Sequence, residues 1–458
     1  MSKSIGVYIG QSFIECSAFD GKLLTESKRY FSAQISEDNA IKSFIESLTW
    51  KQIDKIIISS RWPSKIIEKK LSTKVALLVT EGFQNWPSIR QPIDNKRYRR
   101  NPKREKNLVE RDYIFGISER CNSNGEIEVK PDLEELEFLH KKLQMMEIQT
   151  IAIGFLYSNL NPNNEVFIKK FFEKLGYKII CSHEESKYEN EVARWWRTVV
   201  NAFVSDVYPE EFLLLKSKLH TLAKKIEIVD HQGKLIDETS KNLFASNFSY
   251  QHLITDKKGI SPHIFYFGLE EFTYLNGEKI TPLIDSEYGP IAIKKPATEA
   301  LCIQPTQVLE PDHWSIYRYS NKEVNYEPGP MLFGKSLNPT FIDILFADSQ
   351  LDSFESIRDF LRPNSKSRIL EILYTFTKDT IFEKNVDGFI DFILKNSFNR
   401  IALNIKNKIP SNEKILISGP LAGIFYDRLK NHFPSSLLAL DEDHNFLISK
   451  LIVKRYFL

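Results

Sequence analysis

Cysteine is scarce in this chain: Cys16, Cys121, Cys181 and Cys302 are its four, widely separated, with no CxxC pair and no histidine at zinc-finger spacing. That excludes a disulfide scaffold and a zinc knuckle, and reduced core thiols are expected. Long apolar runs are missing too. The longest, such as Thr150 to Tyr157, fall far short of the about 20 residues a bilayer span requires, so no membrane role is expected. The opening Met1-Ser2-Lys3-Ser4 has no apolar signal core, from which a cytoplasmic protein is expected. There is also no excess of one charge, since 62 Lys+Arg offset 60 Asp+Glu to leave +2. Such balance gives no general attraction to nucleic acid. The exception is Lys96 to Lys106, with seven cations and one acid in eleven residues and Tyr98 available for stacking. It could track phosphates, but a solvated loop around Pro102 is the favoured reading, and a nucleic-acid partner is not expected.

What is present is an ordinary globular composition, 42% hydrophobic over 458 residues, enough for several domains of about 100–200 residues each. Ile5–Gly10 and Phe13–Ser17 are short β-type runs around a glycine-containing turn, which predicts a hairpin. Ile56–Ser59 and Val75–Val79 read as buried strands with a lysine-rich helical segment between them. From Leu133 the pattern alternates: a helix at Leu133, Leu136, Leu139 and Leu143, a strand from Thr150, a helix on Phe167, Ile168, Phe171, Phe172 and Leu175 stopped by Gly176, a strand Lys178–Cys181, and an amphipathic stretch from about Ser186 to Val204. This is βαβ register and predicts an α/β fold.

The opening has an echo at His263–Gly268, Leu269-Glu270-Glu271 and Phe272–Leu275, followed by a turn at Asn276-Gly277, which suggests two related halves. Lys414–Ser418 then reads as a strand entering Gly419-Pro420-Leu421-Ala422-Gly423 and a helix to about Lys430. A strand, a Gly-rich turn and a helix N-terminus form a common phosphate-binding arrangement, although Gly-Pro after a strand is also structural punctuation.

Several segments, collinear and similarly spaced, resemble the hydantoinase A and 5-oxoprolinase (N-methylhydantoinase) family. They are Val75–Phe83, Phe115–Arg120 through Asn124-Gly125-Glu126, Ala152–Pro162, and Arg197–Phe203. Downstream, Glu327-Pro-Gly-Pro330, Phe333-Gly334 and Pro339-Thr340 with Asp343 resemble further family segments. The resemblance implies an actin-like (ribonuclease-H-like) two-domain ATPase fold with mixed sheets flanked by helices, divided here as 1–220 and a shortened 221–458. It implies ATP and Mg²⁺ as cofactors, a small cyclic amide such as a hydantoin or 5-oxoproline as substrate, and ATP-driven ring-opening hydrolysis. A hydantoinase B-like subunit is the partner it suggests.

Residue by residue, the resemblance carries phosphate binding onto Gly10, Gln11, Ser12, Gly268, Ser418, Gly419 and Gly423. It carries catalysis onto Asp343 and onto His183 of a Ser-His-Glu stretch. The family's two Asp-x-Gly-Gly-Thr loops, however, fall on Tyr8-Ile9-Gly10-Gln11-Ser12 and Tyr266-Phe267-Gly268-Leu269-Glu270. Both aspartates are tyrosines, and Glu270 brings negative charge into an anion pocket. The family's His-Gly-Thr-Thr loop falls on Ile58-Ser59-Ser60-Arg61, and its Ser-Gly-Pro-Ala-x-Gly loop on Ser246–Gln251.

Structural readings stand beside these. Gly10 suits a plain hairpin turn, Asp343 a helix N-cap, and His183 a hydrogen-bonded histidine beside acids. Trp195-Trp196 suit either core or a pocket left by lost ligand. Asp441-Glu442-Asp443-His444 reads as a polar loop, because consecutive residues cannot all converge on one ion, and no metal site is expected. Two functions therefore remain: an ATP-dependent hydrolase, and a non-catalytic descendant (a pseudoenzyme) that binds or scaffolds through its cleft.

Overall fold

The computed structural model describes residues 3–32, 34–48, 50, 52–68, 74–88, 108–236, 243–255, 263–286, 289–305, 307, 309–311, 317–319, 338–348, 365–378, 381–441 and 448–458. The basic run 96–106, the segment 327–334 and His444 lie outside them.

Three main sheets carry the fold. The first contains β1 (Ser4–Ile9), β2 (Phe13–Phe19), β3 (Leu24–Phe31), β4 (Ile53–Ser60), β11 (Ala223–Val229) and β12 (Leu235–Ile236), in the order β12-β11-β4-β1-β2-β3. β1, β2 and β3 are antiparallel, whereas β4 and β11 run parallel to β1. The second sheet is wholly parallel: β10 (Lys178–Cys181), β9 (Thr150–Gly154), β5 (Val75–Thr80) and β6 (Ile114–Ile117). The third is ordered β15-β14-β13-β18-β19, with β13 (His263–Phe267), β14 (Phe272–Ser286), β15 (Gly289–Ala300), β18 (Ile415–Ser418) and β19 (Leu438–Leu440). Small ribbons pair β7 (Arg120–Cys121) with β8 (Ile127–Val129) and β16 (Leu309–Pro311) with β17 (Tyr317–Tyr319).

The third sheet repeats the first. Each opens with a hairpin, adds an outer antiparallel strand on one side, and on the other side adds two strands parallel to its first. Tyr8 and Tyr266 hold equivalent places, paired with Ser59 and Ser418 on the neighbouring parallel strands. The echo in the sequence is therefore an echo in topology.

Helices follow the apolar stripes. Leu133–Met145 starts on Asp132, whose carboxylate accepts the Glu135 N–H, and buries Leu136, Leu139 and Leu143. Gly176, at φ +88°, ends Asn163–Lys174 as expected. The amphipathic stretch runs beyond Val204: the helix spans Glu191–Leu219 and continues through Pro209, because Tyr208, Phe212, Leu215 and Leu219 keep its buried stripe. Trp195 and Trp196 are core. A Cβ on Gly154 would lie 2.5 Å from the Trp195 ring, so only glycine lets the indole settle on β9, with Trp86 packed against both. Asn276-Gly277 does not turn the chain. It sits at a register shift within β14, where Asn276 Oδ1 accepts the N–H groups of Glu278 and Lys279, which absorbs a bulge.

The helix Ile448–Tyr456 closes over β1 and β2. Its Ser449 hydroxyl meets Ser17 at 2.7 Å, and the Ile448 N–H donates to Glu15 at 2.6 Å. A Cβ on Gly6 would stand 2.5 Å from the Ser449 carbonyl oxygen. Gly6→Ala must therefore push the helix off the sheet, and the expected loss is about 1–3 kcal/mol as in other overpacked cores, read by urea unfolding of variant against wild type.

Candidate functional site

The two hairpin tips face one another across the gap between the first and third sheets. At the first tip the chain leaves β1 through Gly10-Gln11-Ser12, and the exposed N–H groups of such a turn form an anion-binding concavity. Here they hold a carboxylate from the protein itself. Gln11 N–H donates to Glu270 Oε2 at 3.1 Å and Ser12 N–H to Glu270 Oε1 at 2.5 Å. A Cβ on Gly10 would lie 3.0 Å from both Glu270 oxygens, so the glycine is what admits the carboxylate. At the second tip, Gly268 N–H bonds the Glu271 carbonyl, which keeps Glu270 at the apex.

The neighbouring loops complete a charged network. Arg61, just past β4, places Nη1 3.7 Å from Glu270 and 3.6 Å from Glu271. Its guanidinium lies over the Tyr250 ring, and the Tyr250 hydroxyl donates to Glu271 Oε1 at 2.5 Å. Gln251 donates to the Tyr250 oxygen at 3.0 Å and accepts from buried Lys295 at 3.0 Å. Tyr8 and Tyr266 both line this gap, as do Glu15, Arg29, Phe13, Leu269 and Pro420, and only about 20 Å³ remains open between them. Burial, and then the Glu270 charge, pushes the Tyr8 phenol up; burial and then Glu15 does the same for Tyr266. Both tyrosines are thus neutral phenols, which are weaker ligands for a divalent cation than carboxylates. A phosphate entering here would have to displace Glu270, and the donor set as folded does not fit it.

The other expected residues separate into two groups. Ser418, at the end of β18, donates to Asp441 at 2.7 Å in the core. Gly419, at φ +104°, crosses so close to β13 that a Cβ would lie 2.6 Å from the Phe267 carbonyl oxygen, and Gly423 sits in the helix Ala422–Leu429. Asp343 is fully buried and forms a capping box with Thr340, accepting its N–H at 2.7 Å and its hydroxyl at 2.8 Å, at the start of Phe341–Ala347. His183 lies at the end of β10, where Nδ1 is 2.5 Å from Glu165 Oε2. Neither Asp343 nor His183 lines the gap between the tips.

Glu165, Cys181 and His183 present donor atoms within 4.8 Å of one another, a grouping that could hold a cation. Glu165 also accepts from Phe155 N–H, the Ser182 hydroxyl and His183 N–H, so protein donors already meet its charge. Arg61, Tyr250 and Glu271 were not singled out from the sequence. The signal was there: each stands in or beside a segment aligned with a family phosphate loop, and the structure brings those segments together with Tyr, Glu and Arg side chains.

Residues 4–176 match the family model described as the hydantoinase/oxoprolinase N-terminal region. An uncharacterized protein of Methanocaldococcus jannaschii is 25% identical over 44% of this chain and 31% of its own length. The acetophenone carboxylase gamma subunit of Aromatoleum aromaticum is 25% identical over 33% of this chain. The matched part spans only 23% of that subunit, so both alignments cover less than a third of the curated relatives. Among solved structures, the ATP-dependent caprolactamase from Pseudomonas jessenii superposes with TM-score 0.73 at 18% identity, covering 95% of this chain and 68% of that one. A nucleotide-free acetone carboxylase superposes with TM-score 0.69 at 14% identity, covering 94% and 67%. The fold is thus the actin-like one, with mixed sheets flanked by helices. Among the described residues no helix is long and apolar enough to cross a membrane.

Lys295 gives the network a measurable signature. Burial lowers its pKa to about 8, with Glu271 partly opposing, against about 10.4 in an unfolded chain. Between these values the unfolded state binds more protons, so this group's contribution makes the fold more stable as pH rises from about 8 to about 10. Lys295→Met should remove that slope, so wild type should gain stability relative to the variant as pH rises from about 8 to about 10, measured by urea unfolding at intervals over that range.

Proposed function

We propose that this chain, whose residues 4–176 match the hydantoinase/oxoprolinase N-terminal region, is a divergent member of that family and uses the actin-like fold as a non-catalytic binding or scaffold subunit, with the nucleotide cleft sealed by its own side chains. The relatives point to ATP-dependent processing of a cyclic amide or a ketone, and one of them is a named subunit of a larger carboxylase. What favours a departure from that chemistry here is one observation: the Glu270 carboxylate takes the Gln11 and Ser12 N–H groups. An anion already bound in cis competes with phosphate at the effective concentration of a neighbouring loop, and its charge repels any phosphate that approaches. With Tyr8 and Tyr266 at the former aspartate positions, the cleft offers neutral phenols in place of cation-anchoring carboxylates. The reading thus covers Gly10, Gln11, Ser12 and Gly268 as parts of a closed contact, and leaves Asp343 and His183 in structural roles. The surfaces outside the cleft then carry the function, and a second subunit of the hydantoinase B type is the partner proposed.

The competing reading, ring-opening hydrolysis driven by ATP, is favoured by the fold and the relatives. Calorimetric titration separates the two. Wild-type protein should give no saturable heat with ATP and Mg²⁺ and no phosphate release with hydantoin or 5-oxoproline, whereas Glu270→Ala, which unseals the turn, should gain measurable affinity for ATP or inorganic phosphate. Saturable, magnesium-dependent binding by the wild type would overturn the proposal.

A further inference from the structure

A second cavity, of about 350 Å³, opens between the turn after β11, the loop entering the helix Glu191–Leu219 and the β14–β15 ribbon. It shares no wall residue with the sealed cleft. Three cations line it: Lys187 and Lys294 are exposed, and Arg197 is buried. The Arg197 guanidinium is fixed from behind, with Nη1 donating to the Ala292 carbonyl at 2.6 Å and Nε lying 3.5 Å from Glu185. The acid in the wall, Asp230, spends its Oδ1 on the N–H groups of Gln232 and Lys234, each at 2.8 Å.

His231 supplies an independent sign of a ligand. It lines the same cavity, is only 7% exposed, and its Nδ1 is buried without a hydrogen-bond partner. Buried polar atoms are nearly always paired, so an unpaired one in a cavity wall marks where a partner group belongs. Burial, assisted by Arg197, His252 and Lys234 and opposed by Asp230, lowers its pKa to about 4, so the ring is neutral at pH 7 and offers a hydrogen bond without charge. Tyr188 and Ala292 add carbon surface. The volume lies in the range of small-molecule sites, about 300–1,000 Å³, and leaves room for a carbon skeleton beyond a bare inorganic ion.

We propose that this cavity binds a small organic anion, a carboxylate or a phosphate ester, with its charge between Arg197 and the two lysines and a polar group on His231. Arg197 is the planar donor that suits both oxyanions, and the lysines at the mouth steer charge inward. The site works whether or not the nucleotide cleft is sealed, so it stands apart from the function proposed above.

Calorimetric titration of the full chain at constant ionic strength tests it with three probes: succinate, glycerol 3-phosphate and the uncharged succinamide. Saturable binding of at least one anion is expected, with none for succinamide. Binding should weaken at least tenfold in the double variant Lys187→Ala/Lys294→Ala, whose exposed positions leave the fold intact, and also in His231→Phe. Succinate alone binding would assign a carboxylate ligand, and glycerol 3-phosphate alone a phosphate ester. Failure of both anions, equal binding of succinamide, or unchanged affinity in the lysine double variant would each overturn the proposal.

Discussion

Two backbone N–H groups at the tip of one hairpin are held by a carboxylate at the tip of another, and the space between the first and third sheets is organised around that contact. Gln11 and Ser12 donate, Glu270 accepts, and Arg61 stands between Glu270 and Glu271 and offsets part of their charge. A carboxylate in so little space is tolerable only when hydrogen bonds and an opposite charge surround it. Each surrounding residue is placed by that need: Tyr250 to donate to Glu271, Gln251 to donate to Tyr250, and Lys295 to donate to Gln251. The chain of donors runs from the long ribbon of the third sheet to the first hairpin of the first. It joins the two halves through polar contacts.

The duplicated topology explains why the contact is nearly symmetrical. Each half brings a hairpin tip to the same gap, and each tip follows a strand whose penultimate residue is a tyrosine. The halves differ at one decisive place. The first turn, Gly10-Gln11-Ser12, directs the Gln11 and Ser12 N–H groups at Glu270, and the second carries two consecutive acids. A donor loop and an acceptor loop at equivalent places in two similar sheets fit each other, much as a ligand and a site would.

Much of this was legible in the sequence, and the limits have physical reasons. The opening hairpin, three of the four strands of the parallel sheet and the helix stop at Gly176 were readable because apolar period and a glycine turn act locally. The resemblance located the loops, and reading Tyr8, Tyr266 and Glu270 as departures identified three members of the sealed cleft. Arg61 and Tyr250 were harder, because an arginine after a strand and a tyrosine in a short helix carry no local pattern; only the fold brings them to Glu271. The extent of β14 and β15 was hidden because Lys, Glu and Pro interrupt their alternation and a bulge at Asn276 shifts the register. The helix past Val204 was hidden because Pro209 reads as a stop, whereas the packing of Tyr208, Phe212 and Leu215 carries the helix through. The cation-lined cavity had no linear signal, since its residues come from three distant segments.

The helix Ile448–Tyr456 has a consequence for synthesis of the chain. It covers the glycine face of β1, and its Ser449 meets Ser17 across 432 residues of sequence. Chains grow at about 5–20 residues per second, so the first hairpin waits on the order of tens of seconds for its lid. During that interval a strand with an uncovered apolar face is exposed to the cell. The β1–β2 hairpin is therefore complete only once residues 448–456 have been made and packed on it, and a factor that shields nascent strands would engage this hairpin throughout that interval.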